Sequence, residues 1–207
     1  MAHDYDADSV TIYFAKLIKF VGRMIADYDA NQVRESTILA NSERTASKIQ
    51  AWYGAEPSIL YPPIDTSGFD RCQPWSERED GFVFVGRIAP GKNVIEIIHI
   101  LREVQANGHD IHLHLVGPKN QDTPEYYDRV RSLCQDNEFV SLEGPLYNEK
   151  LDEMLLNHKY GISASTESFG MSIAEMIGAG MIPFVSNDGG QREIVNDTNE
   201  ILFGEQN

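Results

Sequence analysis

Cysteine and basic residues are scarce in this chain of 207 residues. The 2 cysteines, Cys72 and Cys134, have neither metal-binding nor redox spacing, which is typical of a reducing compartment. The chain has 17 lysines and arginines against 32 acidic residues, for a net charge of -15. Surfaces that bind nucleic acids need clustered cations, so this charge balance argues against a nucleic-acid partner. An anionic ligand would need a local positive site that works against the overall charge.

A continuous hydrophobic run of membrane-spanning length is also lacking. The most hydrophobic long segment, VTIYFAKLIKFVGRMIADY, is interrupted by Lys16, Lys19 and Arg23, which excludes a membrane span. Its apolar residues recur at helical spacing, so we expect a helix packed on protein, with peripheral membrane association as the alternative. This stripe consists of Val10, Phe14, Leu17, Val21 and Met24. The first ten residues are acidic where a signal peptide is basic, so we expect a cytoplasmic protein, or one at the cytoplasmic face of a membrane.

From residue 81 onward, apolar β-branched runs alternate with helical patterns. The runs GFVFVG, IHLHLVG, FVSLEG, YGISAS and MIPFVS predict short buried strands. The predicted helices cover residues 93–105, 124–136, 148–156 and 171–178. We expect Asn93, Thr123 and Asn148 to cap the first three helices. This alternation predicts an α/β fold with a doubly wound parallel sheet, in which ligands bind at the carboxyl ends of the strands.

The first eighty residues have a different organisation. TILANS predicts a strand, and ERTASKIQAWYG predicts a helix that Gly54 closes. SILYPPID predicts another strand, which the Pro62-Pro63 pair stops. Residues 66–80 contain glycine, proline and several charges, which predicts a linker.

The stretch GRIAPGKN has the spacing of a nucleotide-binding P-loop, from Gly86 to Lys92. A P-loop needs a hydroxyl after the lysine to bind magnesium, but Asn93 stands there. No downstream predicted strand ends in the aspartate that such proteins also use, and no G-x-G-x-x-G motif follows a strand. What remains is a pair of cations, Arg87 and Lys92, at a strand-to-helix turn. This arrangement suits a diphosphate bound without a metal.

The stretch ESFGMSIAE places two carboxylates, Glu167 and Glu175, around a predicted helix start. The amides of Phe169, Gly170 and Met171 would be free there to bind an anion. Carboxylates accept two hydrogen bonds at once, which suits the hydroxyl pairs of a sugar or a ribose. A helix start flanked by one surface glutamate and one ion-paired glutamate explains the same residues. This segment alone leaves both interpretations open.

Several motifs together resemble a known family. GRIAPGKN, HLVGP, LEGPL and STESFGMSIAEMIGAGMIPFVSNDGGQREIV occur in the order found in the nucleotide-binding half of group 1 glycosyltransferases, glycosyltransferase family 4 of the GT-B fold. LANSERTASKIQAWYGAEPSILYPPID is similar to the segment that joins the two domains in lipid-linked-oligosaccharide mannosyltransferases. The resemblance covers residues 10–203.

The resemblance implies a retaining transferase that moves a sugar from a nucleoside diphosphate sugar, GDP- or UDP-linked, to a glycan or lipid-linked glycan. Arg87, Lys92 and the amides of residues 169–171 would bind the diphosphate. Glu175 would bind the ribose, and Glu167 would be the catalytic residue that binds the sugar. The wall around the base would be formed by Leu142, Gly144, Pro145 and Leu146. No cofactor and no metal are expected.

The same resemblance divides the chain into parts. Residues 1–65 would be the last elements of an N-terminal domain, residues 66–80 a linker, and residues 81–207 a donor-binding Rossmann-like domain truncated at its C-terminus. The acceptor would be held by the missing N-terminal domain, so we expect the isolated chain to be inactive. The family usually has glycine where this chain has Glu200. The alternatives are a non-catalytic nucleotide-sugar binding module, and a sugar-nucleotide epimerase or a phosphorylase of the GT-B architecture.

Two further groups receive no functional role. His112 and His114 point to the same face of a predicted strand, but no third ligand of suitable spacing accompanies them, so packed or surface histidines are expected. Arg192 and Glu193 are expected to pair at the surface.

Overall fold

The computed structural model describes residues 18, 30–71, 73–196 and 202–204. The helical stripe predicted over residues 10–24 lies outside these residues apart from position 18, and Glu200 lies outside them as well. Within the described residues, no helix combines the length and apolar character needed to cross a membrane.

The strands and helices from residue 79 onward confirm the predicted alternation. The strands are β3 (Glu79–Val85), β4 (His112–Val116), β5 (Val140–Gly144), β6 (His158–Ser163), β7 (Ile182–Ser186) and β8 (Leu202–Phe203). The helices between them are α3 (Val94–Ala106), α4 (Pro124–Gln135), α5 (Glu149–Asn157), α6 (Met171–Gly178) and α7 (Gln191–Ile194). The short β8 is the strand that sequence patterning did not predict.

The six strands form one parallel sheet in the order β5-β4-β3-β6-β7-β8. This order runs outward in both directions from β3, so the predicted doubly wound sheet is confirmed. Consecutive connections change direction between β3 and β6, which leaves a crevice at their carboxyl ends. Ligands of such sheets bind at this switch point.

Side chains that alternate along the strands build a core on each face of the sheet. Phe82 and Phe84 of β3 lie in a core with Leu113 and Leu115 of β4, while Val83 belongs to a second core on the other face. Fully burying one such side chain contributes about 1.5–3 kcal/mol. Both faces are therefore covered, as expected for a parallel sheet.

The predicted helix caps are correct in position but not in mechanism. Asn93, Thr123 and Asn148 occupy the N-cap positions of α3, α4 and α5, yet none of their side chains bonds to the first helical amides. Asn93 and Asn148 instead have left-handed φ values of 52° and 51°. Thr123 accepts a hydrogen bond from Asn120 at 2.9 Å. These residues therefore form the turn before each helix, and their side chains do not cap the first helical amides.

The N-terminal part contains α1 (Ala30–Glu35), β1 (Leu39–Ala40), α2 (Glu43–Tyr53) and β2 (Ser58–Ile59). β1 and β2 pair in parallel. Gly54 ends α2 as predicted, with φ of 64° and an amide that donates to the carbonyl of Gln50 at 2.8 Å. Residues 66–80 hold two 3-10 helices, Ser67–Arg71 and Trp75–Glu77, and Phe69 is buried in the second core.

Candidate functional site

The candidate site lies at the carboxyl edge of the sheet, where the loops after β3 and β6 meet. The first loop turns through a 3-10 helix, Pro90–Lys92, before α3, and the second loop runs from residue 164 to the start of α6. The side-chain amide of Asn93 donates to the carbonyl of Ala164 at 2.9 Å and so joins the two loops. The fold therefore brings together two motifs that are about 75 residues apart in the chain.

Lys92 and Glu167 form an ion pair across this crevice. The ammonium of Lys92 contacts Oε1 of Glu167, and the hydroxyl of Ser165 donates to the same oxygen at 2.5 Å. The side chains of Lys92 and Glu167 are 26% and 24% exposed, so both groups remain accessible to a ligand. Arg87 is exposed in the same loop as Lys92. Of the predicted site residues, these three lie together.

The ionised form of Glu167 is favoured in this environment. Partial burial acts to raise the pKa of Glu167. Hydrogen bonds from Lys92 and Ser165, together with the charges of Lys92 and Arg87, outweigh this effect and lower the pKa. The net result is a pKa below the ordinary value. Glu167 is thus a carboxylate ready to accept hydrogen bonds from hydroxyl groups.

Gln191 holds the loop that carries Glu167, and sequence patterning did not identify it. Its side chain is fully buried. The amide group donates to the carbonyls of Ser165 at 2.7 Å and Asp188 at 2.9 Å, while its oxygen accepts from the backbone amide of Glu167 at 3.0 Å. The sequence offers one local signal for this residue, a glutamine directly after the Gly189-Gly190 pair.

The three amides that were predicted to bind an anion lie at the start of α6. Gly170 occupies the N-cap with φ of 109°, a conformation that favours glycine. In the described part of the chain, no acceptor binds the backbone amides of Phe169, Gly170 and Met171. The Phe169 ring is buried and lies 5.7 Å from the ring of Tyr61, which fixes the entry to the helix.

Glu175, in the second turn of α6, has the opposite electrostatic environment to Glu167. Burial, and then the negative charge of Asp152, raise the pKa of Glu175. Glu175 lines a cavity of about 590 Å³ together with Leu146 and Asp65. The cavity therefore joins the predicted ribose-binding residue to one predicted base-binding residue.

The other predicted base-binding residues are more dispersed. Leu142 packs against the first core. Gly144 has a left-handed φ of 72°, and its carbonyl accepts from the amide of Gly117 at 2.8 Å. Pro145 is exposed. None of these three lines the cavity that holds Leu146 and Glu175.

The N-terminus of α2 docks on the loops of the site. The hydroxyl of Ser42 donates to the carbonyl of Ser168 at 2.6 Å. The carboxylate of Glu193 accepts from the amides of Glu43 at 2.8 Å and Arg44 at 2.9 Å. Arg44 also forms an ion pair with Asp188. Glu193 therefore caps a distant helix, a role that sequence patterning did not predict.

His112 and His114 are partly buried, as expected of packed histidines, but the expectation that no third potential ligand accompanies them was wrong, because the fold adds one. His158, the first residue of β6, lies beside His112 and His114 of β4, and one nitrogen of each ring lies within 4.8 Å of the others. These residues are distinct from the crevice that holds Lys92 and Glu167.

Comparison with known proteins gives consistent matches. The sequence model of the family described as glycosyl transferases group 1 matches residues 69–207. A protein named GDP-Man:Man(3)GlcNAc(2)-PP-Dol alpha-1,2-mannosyltransferase from Dictyostelium discoideum is 22% identical over 199 residues, covering 87% of this chain and 37% of that protein. A protein of the same name from Caenorhabditis elegans is 29% identical over 165 residues, covering 70% of this chain and 34% of that protein.

Among solved structures, a glycosyltransferase from Rickettsia africae ESF-5 has a TM-score of 0.69 at 17% identity, covering 81% of this chain and 48% of that one. At this identity the likeness concerns the fold. The chain spans about a third of the length of the two curated relatives, 37% and 34%.

Proposed function

Because the chain belongs to the group 1 glycosyl transferase family, we propose that it binds a nucleoside diphosphate sugar in the crevice between β3 and β6. It would form the donor side of a retaining glycosyltransferase. The observation that carries this proposal is the pairing of Lys92 with Glu167 beside Arg87 and the free amides of α6.

Arg87, Lys92 and the amides at the start of α6 would bind the diphosphate. Two cations and a helix N-terminus supply the positive potential that a chain of net charge -15 otherwise lacks. The Lys92 ammonium would then be shared between Glu167 and a phosphate oxygen. As the sugar leaves, these groups would stabilise the charge that develops on the diphosphate. We expect no metal to be needed, because Asn93 replaces the hydroxyl residue that a P-loop uses to bind magnesium.

Glu167 would bind the transferred sugar through its hydroxyls and act as the catalytic residue. Its lowered pKa keeps it ionised near neutral pH, and Ser165 and Lys92 orient the carboxylate. Glu175 would accept hydrogen bonds from the ribose hydroxyls, and Leu146 would contact the base, since both line one cavity.

The names of the two relatives suggest the donor and the acceptor. Both are named as enzymes that use GDP-Man and a dolichol-linked glycan. We therefore propose GDP-mannose as the donor and a lipid-linked glycan as the acceptor of the whole protein, with peripheral association at a cytoplasmic membrane face. A donor-binding module without transfer is the second candidate, because every residue assigned above contacts the donor in this proposal.

Titration calorimetry with GDP-mannose, GDP and guanosine tests the proposal. Arg87→Ala and Lys92→Ala should each weaken GDP-mannose and GDP binding by about 1.5–3 kcal/mol, the range for hydrogen bonds to charged groups, and leave guanosine binding unchanged. Arg131→Ala, an exposed position on α4, is the matched control. An equal loss of guanosine affinity in these two variants would show that Arg87 and Lys92 support the structure rather than bind the diphosphate. Loss of GDP-mannose binding in the presence of EDTA would contradict a metal-independent site.

A further inference from the structure

Three histidine rings meet at one corner of the sheet. His112 and His114 belong to β4, and His158 begins β6, on the other side of β3. Their ring centroids are 4.8–5.2 Å apart, and the Nε2 atoms of His112 and His158 are 3.1 Å apart. The carboxylate of Glu79, the first residue of β3, lies 3.4 Å from Nε2 of His112 and 3.9 Å from Nε2 of His158.

The rings can approach because the strand between them carries a glycine. Gly81 of β3 pairs with His112, and a Cβ atom at Gly81 would collide with the His112 ring. Any other residue at position 81 would therefore displace this imidazole. The same strand supplies Glu79 two residues earlier.

Two of the three rings are oriented by hydrogen bonds from the nitrogen that faces away from the cluster. Nδ1 of His158 lies 2.7 Å from the carbonyl of Met154, which can only accept, so Nδ1 carries the proton and Nε2 keeps its lone pair. Nδ1 of His114 lies 2.7 Å from the carboxylate of Glu143 and is set in the same way. Metal-bound histidines characteristically have such carbonyl and carboxylate partners.

The cluster is open to solvent on one side. The side chains of His112, His114 and His158 are 35%, 20% and 5% exposed, so an ion can enter from the side of His112.

The geometry points to a Zn²⁺ site formed by His112, His114 and His158, with Glu79 as the fourth ligand. Nitrogen atoms that share a tetrahedral zinc at about 2.0–2.1 Å are roughly 3.3 Å from each other, close to the 3.1 Å between His112 and His158. Three imidazoles and a carboxylate would fill all four positions of a tetrahedral zinc ion, and a site without an open position is structural rather than catalytic. The ion would tie β4 to β6 across β3.

This site would be independent of the proposed donor crevice. Glu79, His112 and His158 are the first residues of their strands and lie at the amino edge of the sheet, whereas Lys92 and Glu167 lie at the carboxyl edge. Zinc binding would therefore change the stability of the protein rather than its affinity for GDP-mannose.

Metal titration of the chelator-treated 207-residue protein tests the inference. We expect one Zn²⁺ per chain, a rise in Tm on binding, and the visible absorption of tetrahedral Co²⁺ when cobalt replaces zinc. His112→Gln and His114→Gln should each weaken zinc binding by about 100-fold or more, and Glu143→Gln by about 10–100-fold, the range for outer partners of metal ligands. His109→Gln, an exposed histidine before β4, should bind zinc like the wild type.

The result that overturns the site is a wild-type zinc affinity equal to that of His112→Gln and His114→Gln. An octahedral Co²⁺ spectrum would overturn it as well. His158 is nearly buried, so the two partly exposed histidines carry the test even if His158→Gln does not fold. GDP-mannose affinity is measured alongside and should not change in either variant, which keeps this inference separable from the proposed function.

Discussion

Glu167, in the loop before α6, and Glu175, in the second turn of α6, have opposite pKa shifts. The pKa of Glu167 is held below its ordinary value by Lys92 and Ser165, despite the opposing effect of burial. The pKa of Glu175 is raised by burial and by the like charge of Asp152. The ionised form of Glu167 therefore stabilises the folded state above its ordinary pKa, and this contribution is lost as the pH falls through the folded pKa. The ionised form of Glu175 instead lowers the stability near neutral pH.

Glu175→Gln should raise the Tm at pH 7, because it removes a disfavoured charge. The folded pKa of Glu175 is above the unfolded value, so the advantage of glutamine is complete above the folded pKa and disappears as the pH falls below about 4.5, the ordinary value. GDP binding should weaken by about 1.5 kcal/mol, since the ribose loses a charged acceptor. Thermal melts at pH 7 and pH 4 and calorimetry with GDP measure both effects.

Glu153→Gln, at an exposed position of α5, is the matched control and should change neither quantity. A lower Tm of Glu175→Gln at pH 7 would contradict the electrostatic assignment. Unchanged GDP affinity would remove Glu175 from the ribose site.

At the scale of the elements, one buried side chain holds together the loops after β6 and β7 at the carboxyl edge of the sheet. Gln191 of α7 bonds to the backbone of Ser165, Glu167 and Asp188, so it fixes the loop after β6 against the loop after β7. The amide of Gly190 adds a bond to the carbonyl of Glu167 at 2.8 Å. The loop that carries the Glu167 carboxylate is thus held in place by the buried side chain of Gln191.

Gln191→Ala should destabilise the protein by about 2–4 kcal/mol, because buried backbone groups lose their partners and a cavity is left. Denaturant unfolding measures this change, with exposed Gln50→Ala on α2 as the control. Affinity for GDP-mannose should fall more than affinity for GDP, since the Glu167 loop would lose its fixed position. Parallel losses for both ligands would show that Gln191 supports the fold without positioning Glu167.

The elements were predictable from the sequence, whereas several of their contacts were not. The apolar β-branched run GFVFVG and the helical pattern over residues 93–105 are local signals, and the structure confirms both with the strand Glu79–Val85 and the helix Val94–Ala106. The pairing of Lys92 with Glu167 joins residues 75 positions apart and depends on strand order. His158 reaches His112 for the same reason, across a strand whose Gly81 leaves room. Such contacts are set by topology, which local periodicity does not encode.

At the scale of the whole molecule, an acidic protein is proposed to bind an acidic ligand. The net charge of -15 repels a nucleotide sugar at long range, so binding has to come from Arg87, Lys92 and the start of α6 at short range. These groups come from the two loops that border the crevice, after β3 and after β6, and the proposal assigns all of them to the donor. Transfer also requires an acceptor.

The 207-residue chain should bind GDP-mannose but transfer no mannose. Holding an acceptor at near-attack distance is worth about 7–11 kcal/mol of barrier, and the proposal assigns only donor-binding residues to this chain. The measurement is transfer of labelled mannose to a dolichol-linked glycan, with the Caenorhabditis elegans relative as the positive control. Product above the enzyme-free background would overturn this expectation, whereas absence of donor binding would contradict the proposed function itself.

The capping of α2 by Glu193 has a consequence for the order of events during synthesis. The Glu193 carboxylate lies 150 residues after Glu43 and 149 after Arg44, the amides that it binds. At about 5–20 residues per second, roughly 8–30 s separate the synthesis of this helix start from that of its carboxylate. Ser42 caps the helix locally in the meantime through the amide of Thr45. The junction between α2 and the loops of the site is therefore completed only after the sheet strands up to β7 have been made.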